Sequence, residues 1–87
     1  WGYGATGRAL RRALAERGKQ ASVIVELHPG RVGQRIHGAP VVLPSALPAL
    51  RGHRIVVSVA GEMPRAEIRA ALAAMEFREP DEFVCAA

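Results

Sequence analysis

The 87 residues predict an α/β domain with a mostly parallel sheet, and three observations predict it. Short β-branched runs alternate with helix-like stretches, the pattern of strand–helix–strand units. The runs Val23-Ile24-Val25 and Ile55-Val56-Val57 are continuous and not alternating, as strands covered on both faces are. A glycine-spaced segment, Gly2-Tyr3-Gly4-Ala5-Thr6-Gly7, stands directly before the first helical stretch.

Residues 7–17 predict that first helix. Ala9, Leu10, Ala13 and Leu14 recur at three- and four-residue spacing, with Arg8, Arg11 and Arg12 toward the other side. Gly18 follows as a stop, because glycine takes the left-handed conformation without steric cost. Residues 22–27 predict a strand that ends at His28-Pro29-Gly30, and a Gly- and Arg-rich loop runs on to Gly38. Residues 40–43 predict a short strand near a sheet edge, since Pro40 has no N–H to give a ladder. Residues 44–50 suit one helical turn with Ser45 as its cap. Residues 55–59 predict a second strong strand, broken by Gly61. Pro64 suits a first helical position, and residues 66–75 predict the last helix, with Ile68, Ala71, Leu72 and Met75 as its buried stripe. Glu79-Pro80-Asp81 reads as a turn and residues 82–86 as a final strand. The candidate core is Val23, Ile24, Val25, Leu27, Val41, Val42, Leu43, Ile55, Val56, Val57, Val59, Ile68, Leu72 and Phe83.

Composition bounds what such a chain does. Hydrophobic residues make up 49%, too many for a disordered segment. A single cysteine, Cys85, excludes a disulfide scaffold and fits a cytoplasmic setting. No apolar stretch approaches the roughly 18 residues of a membrane span, and nothing reads as a signal peptide. The net charge of +4 is unevenly spread: residues 1–54 hold nine Lys/Arg against two Glu, and residues 55–87 three Arg against six acids. The basic half favours an anionic partner. Nucleic acid ranks last among such partners, because aromatic residues are only 5% of the chain and no recognition motif accompanies the charge.

The segment Gly2-x-Gly4-x-x-Gly7 has the spacing of a dinucleotide-binding loop, and each glycine has a physical role there. Gly2 permits the tight turn out of a strand, Gly4 lets a pyrophosphate approach the backbone, and Gly7 lets the helix pack close to the sheet. The helix N-terminus offers N–H groups and partial positive charge to a phosphate. Thr6 adds a hydroxyl and Arg8 a cation. Glu26, 19 residues after Gly7, stands where a carboxylate accepts hydrogen bonds from ribose hydroxyls. A solvated acid paired with Arg31 or Arg35 is its plainer role. His28, His37 and His53 are not spaced as metal ligands, although His37 sits in a loop that borders the expected crevice. Ser22, Ser45 and Ser58 lack a nucleophile context, and Cys85 reads as a small buried hydrophobe. No nucleophile–base pair is legible, so no turnover is expected from these residues alone.

The chain resembles a Rossmann-like module found at the C-terminus of bacterial family 2 glycosyltransferases. The resemblance runs through Trp1-Gly2-Tyr3-Gly4-Ala5-Thr6-Gly7-Arg8, Glu26-Leu27-His28-Pro29-Gly30-Arg31-Val32-Gly33 and Ile36-His37-Gly38-Ala39-Pro40-Val41, then Arg65-Ala66-Glu67-Ile68-Arg69 and Phe77-Arg78-Glu79. The His-Gly-x-Pro-Val turn is also similar to the nucleotide-binding N-terminal domain of sugar acyltransferases. What the resemblance implies is a three-layer fold with a mostly parallel sheet and a non-catalytic accessory domain for a nucleotide or nucleotide-sugar. Its partner would be the upstream catalytic domain of a glycosyltransferase. The family usually shows two aspartates at the second strand end, where this chain has Glu26 and His28. The loop of this fold follows a buried strand, yet only Trp1 precedes Gly2. The expectation is therefore a single domain over residues 1–87 that is a fragment of a larger protein, its first strand upstream and its sheet order 3-2-1-4-5. Two other functions remain open: an NAD(P)-binding fragment of an oxidoreductase, and a protein-interaction domain whose nucleotide site has decayed.

Overall fold

The computed structural model describes residues 1–27 and 29–86. They form, in chain order, α1 (Ala5–Glu16), β1 (Ile24–Val25), a 3₁₀ turn (Pro29–Arg31), β2 (Arg35–Ile36), β3 (Ala39–Val42), a 3₁₀ segment (Pro44–Leu50), β4 (Ile55–Val57), α2 (Glu62–Ala74) and β5 (Phe83–Cys85). The result is a small α/β domain with mixed sheets.

Both helices stop by the same device. At the end of α1 the Gly18 N–H donates to Ala15 C=O and the Lys19 N–H to Leu14 C=O, with Gly18 at φ 71°. This is the Schellman arrangement that Gly18 predicts. At the end of α2, Glu76 at φ 65° does glycine's work. Its N–H donates to Ala73 C=O, and the Phe77 N–H reaches back to Leu72 C=O at 2.9 Å. Phe77 and Leu72 both enter the core, the apolar contact that accompanies this motif.

Three strands pair in the order β1-β3-β2, and β4 pairs with β5. The β1–β3 and β4–β5 ladders are parallel, with Ile24 opposite Val41 and Val56 opposite Val84. β2 is antiparallel to β3, a hairpin that the sequence reads as loop. Its two turn residues, His37 and Gly38, sit at φ 49° and 83°, as a two-residue hairpin turn requires. β3 therefore lies between two neighbours and not at an edge. Pro40 is tolerated because the parallel ladder with β1 begins only at Val41.

Residues 1 and 2 stand between the two sheets. The Trp1 nitrogen donates to Val56 C=O at 2.7 Å, and the Ser58 N–H donates to Trp1 C=O at 2.8 Å. On the other side the Gly2 N–H donates to Val25 C=O at 3.0 Å. Toward β4 this is the bond pattern of parallel pairing, and toward β1 it is a single bond.

The main core gathers Val25, Leu47, Ile55, Val57, Ile68, Leu72, Phe77 and Phe83. A smaller cluster joins Tyr3, Ile24, Ala39 and Val41. Several expectations change here. Leu27 is 65% exposed and Leu43 lies largely at the surface. Leu47 and Phe77 are buried in their place, because the 3₁₀ segment and the turn after α2 fold them inward. Ser45 makes no capping bond: the cap position of its segment is Leu43. Pro64 occupies the third position of α2, which begins at Glu62. In α1, Ala9 and Ala13 are exposed, Leu10 and Leu14 half-buried, and Gly7 alone buried.

Arg51 ties the far end together. Its Nη1 lies 2.7 Å from Glu82 Oε2, its Nη2 donates to Met75 C=O, and its guanidinium sits 4.1 Å from the centre of the Phe77 ring. Nearby, Arg69 grips both carboxylate oxygens of Glu79, at 3.0 and 3.1 Å. Arg51→Ala is expected to lower stability by about 1 kcal/mol, the sum of an exposed ion pair and a ring contact. Urea denaturation checks this, and Arg51→Lys should recover only part, because an ammonium has neither the planar fork that reaches Glu82 and Met75 C=O together nor the flat face that lies on the Phe77 ring.

Candidate functional site

The glycine segment becomes a turn from the central position between the sheets into α1. Gly2 lies at φ 102°, and a Cβ there would stand 2.6 Å from Val59 Cγ2 and 3.1 Å from Ser58 C=O. At Gly7 a Cβ would stand 2.4 Å from the Gly2 carbonyl oxygen. Both glycines are thus fixed by packing, Gly2 by turn and contact, Gly7 by the close approach of helix to strand.

Gly4 differs. Its φ is −83°, a conformation open to any residue, and apart from its neighbours along the chain no heavy atom among the described residues lies within 4 Å of where its Cβ would stand. It occupies the N-cap of α1 with no side-chain capping bond and no acidic residue in the first turn. The first N–H to find a helical acceptor is that of Arg8, which donates to Gly4 C=O at 2.9 Å. The N–H groups of Ala5, Thr6 and Gly7 precede it and have no acceptor within the helix. They carry the positive end of its dipole. Thr6 is half-buried, and Arg8 is exposed beside it.

Glu26, just beyond β1, joins this loop. Its backbone N–H extends the ladder to Val42 C=O, and its Oε1 accepts the Tyr3 N–H at 3.2 Å. The expected partners of its carboxylate are engaged elsewhere: Arg31 Nη1 donates to Tyr3 C=O at 3.3 Å and Arg35 Nη1 to Gly38 C=O at 2.9 Å. The structure therefore brings Gly2, Gly4, Thr6, Gly7, Arg8 and Glu26 around one loop. Arg51 is not part of this surface. It is bound to Glu82 at the other end of the core.

Sequence reasoning gave Ser58 and Tyr3 no place in the loop and named Arg31 only as a partner of Glu26, whereas it donates to Tyr3 C=O. Ser58 is buried, and its hydroxyl lies 2.8 Å from Gly2 C=O and 3.2 Å from Trp1 C=O, one donor shared between two acceptors. It locks the loop onto β4. The available signal was its place: a small hydroxyl residue directly after the apolar run 55–57. His37 is exposed in the hairpin turn and Cys85 is a half-buried free thiol. His28 lies outside the described residues. Among the described residues no group of three or more His, Cys, Asp or Glu side chains is placed to hold a metal ion, and no helix is long and apolar enough to cross a membrane.

No protein-family model, curated protein or solved structure matches the chain.

Proposed function

We propose that the domain binds the phosphates of a nucleotide or nucleotide-sugar at the start of α1, as a non-catalytic accessory domain of a glycosyltransferase-type protein. The observation that carries this reading is Gly4. Gly2 and Gly7 are explained by the packing of the chain on itself, whereas the missing side chain at Gly4 serves no internal contact. What it leaves is open space over three N–H groups, the room a phosphate needs. Glu26 adds a carboxylate within reach of the same loop, suited to a ribose hydroxyl. The parallel β1–β3 and β4–β5 ladders, with Trp1 and Gly2 bonded to β4 and β1 between them, support a Rossmann-like arrangement in which the glycine loop opens beside Glu26. The upstream catalytic domain rests on the sequence resemblance alone.

Calorimetry with a UDP-sugar, NAD and inorganic phosphate tests the reading, with Gly4→Val as the control. Wild type is expected to bind a nucleotide more tightly than phosphate alone. Gly4→Val should bind none of them while losing no more than about 1 kcal/mol of stability, the cost of a poorer N-cap. No binding by wild type would give the interaction-domain reading the lead. Equal binding by Gly4→Val, or binding that collapses with added salt, would place the anion on the basic surface instead.

A further inference from the structure

One peptide plane of the glycine loop is held by a single exposed side chain. The Gly2–Tyr3 plane is fixed at both ends: its carbonyl accepts from Ser58 Oγ at 2.8 Å and its N–H donates to Glu26 Oε1 at 3.2 Å. The Gly4–Ala5 plane is fixed too, since its carbonyl accepts the Arg8 N–H at 2.9 Å and so belongs to α1. Between them stands the Tyr3–Gly4 plane. Its carbonyl accepts from Arg31 Nη1 at 3.3 Å, and among the described residues no other hydrogen bond fixes it. Arg31 reaches it from the 3₁₀ turn after β1 and is itself exposed. Arg35, by contrast, closes its own hairpin at Gly38 C=O.

The direction of that plane bears on an anion. In a trans peptide the N–H and C=O point opposite ways. With φ −83° and ψ −154° at Gly4, the plane as held leaves the Tyr3 carbonyl pointing across the Ala5 N–H and not along it. A half-turn of the plane would swing the carbonyl oxygen to the side that the Ala5 N–H faces, setting the negative end of a dipole against a phosphate. The half-turn leaves the Tyr3 ring buried with Ile24, Ala39 and Val41, and leaves Gly4 C=O bonded to Arg8. What it changes is φ of Gly4, by about 180° into the positive range that glycine takes without steric cost. The residue that leaves room for a phosphate therefore also lets the plane turn.

We propose that Arg31 is the latch on this plane, a positioning residue that acts through the Tyr3 carbonyl and keeps it off the anion site. The purpose of the latch rests on the phosphate-binding reading; the latch itself is a property of the free chain. Ser58, Glu26 and α1 hold the neighbouring planes, so the freedom is confined to this one. A guanidinium suits the task, because it stays charged and directs its N–H groups in a fixed fork. Without it the chain divides between two orientations of the plane. Affinity for an anion then falls by the fraction of chains that remain in the open one.

The test is read first without ligand, by backbone NMR of the 87-residue chain. The amide shift of residue 4 and its NOE to the Tyr3 Hα report the orientation of the plane. Wild type is expected to show one orientation. Arg31→Ala should show the flipped one in about four chains of five, while melting within a few degrees of wild type, as an exposed substitution does. Adding Gly4→Ala to Arg31→Ala should return the wild-type orientation, because alanine is strained at the positive φ that the flip needs. Titration with inorganic pyrophosphate comes second. Arg31→Ala should bind it about fivefold more weakly, the factor that a competent fraction of about one fifth gives. An Arg31→Ala chain that keeps the wild-type orientation would overturn the inference even if its affinity falls, since the loss would then be one of charge. A flip in Arg31→Ala that Gly4→Ala does not reverse would overturn it as well. Failure of wild type to bind pyrophosphate, with the flip as expected, would support the latch and count against the phosphate site alone.

Discussion

Replacing Gly7 with alanine is expected to cost on the order of 3 kcal/mol, although alanine is the better helix former. In an unconstrained helix the change would stabilise by about 1 kcal/mol. Here the new Cβ would lie 2.4 Å from the carbonyl oxygen of Gly2 and 3.2 Å from Ser58 Oγ. The first contact is with backbone, so no rotamer change relieves it, and α1 must move away from the turn. That motion pulls on Gly2, whose carbonyl is held by Ser58 and whose N–H is held by Val25. Overpacking of this kind typically costs about 1–3 kcal/mol and more when backbone is involved. For a domain of this size each kcal/mol is worth roughly 4–8 °C in Tm. Gly7→Ala should therefore melt at least about 10 °C below wild type, and any nucleotide affinity should fall with it. Gly4→Ala is the matched comparison, since open space surrounds that position, and it should melt within a few degrees of wild type. A Gly7→Ala chain as stable as wild type would mean that helix and turn do not approach as closely as described.

The contrast between these glycines shows what the sequence made legible. Spacing alone assigned turn, approach and packing roles to Gly2, Gly4 and Gly7, because each role depends on position relative to a strand end and a helix start, and both were readable from apolar periodicity. The place of Glu26 beside the glycine loop was legible for the same reason. The hairpin at Arg35–Ile36 was not, because its turn uses histidine and glycine and not the Asn-Gly pair that signals such turns. The end of α2 was equally silent: Glu76 takes a left-handed conformation that sequence reasoning reserves for glycine, paid for by the Phe77–Leu72 contact. Leu47 escaped notice because Pro44 and Pro48 made its segment look like a surface connection, whereas the 3₁₀ path turns it into the core. Strand β1 came out shorter than its β-branched run, because the register of its ladder with β3 puts Val23 opposite Pro40, which has no N–H to give.

Lowering the pH from 8 to 6 is expected to destabilise the 87-residue chain when its Trp1 amine is free. That amine is buried between the sheets, and burial pulls its pKa from 8.0 down to about 6, against the opposing attraction of the Glu26 carboxylate. Between those values the unfolded chain binds the proton and the folded chain does not, so stability rises with pH across the window. Above pH 8 the amine is neutral in both states; below pH 6 it is charged in both and the folded state carries the full cost of burying it. Two pKa units correspond to about 2.7 kcal/mol, an upper figure for this group. Acetylating the Trp1 nitrogen separates this effect from every other titrating group. The acetylated nitrogen still donates to Val56 C=O but carries no charge at any pH. Thermal melts at pH 5.5, 7 and 8.5 should show the free chain losing stability toward acid. The acetylated chain should show a shallower slope and a midpoint at pH 5.5 raised by several degrees. Parallel slopes for the two chains would mean that the amine stands in water, and that residues 1 and 2 are not held between β1 and β4.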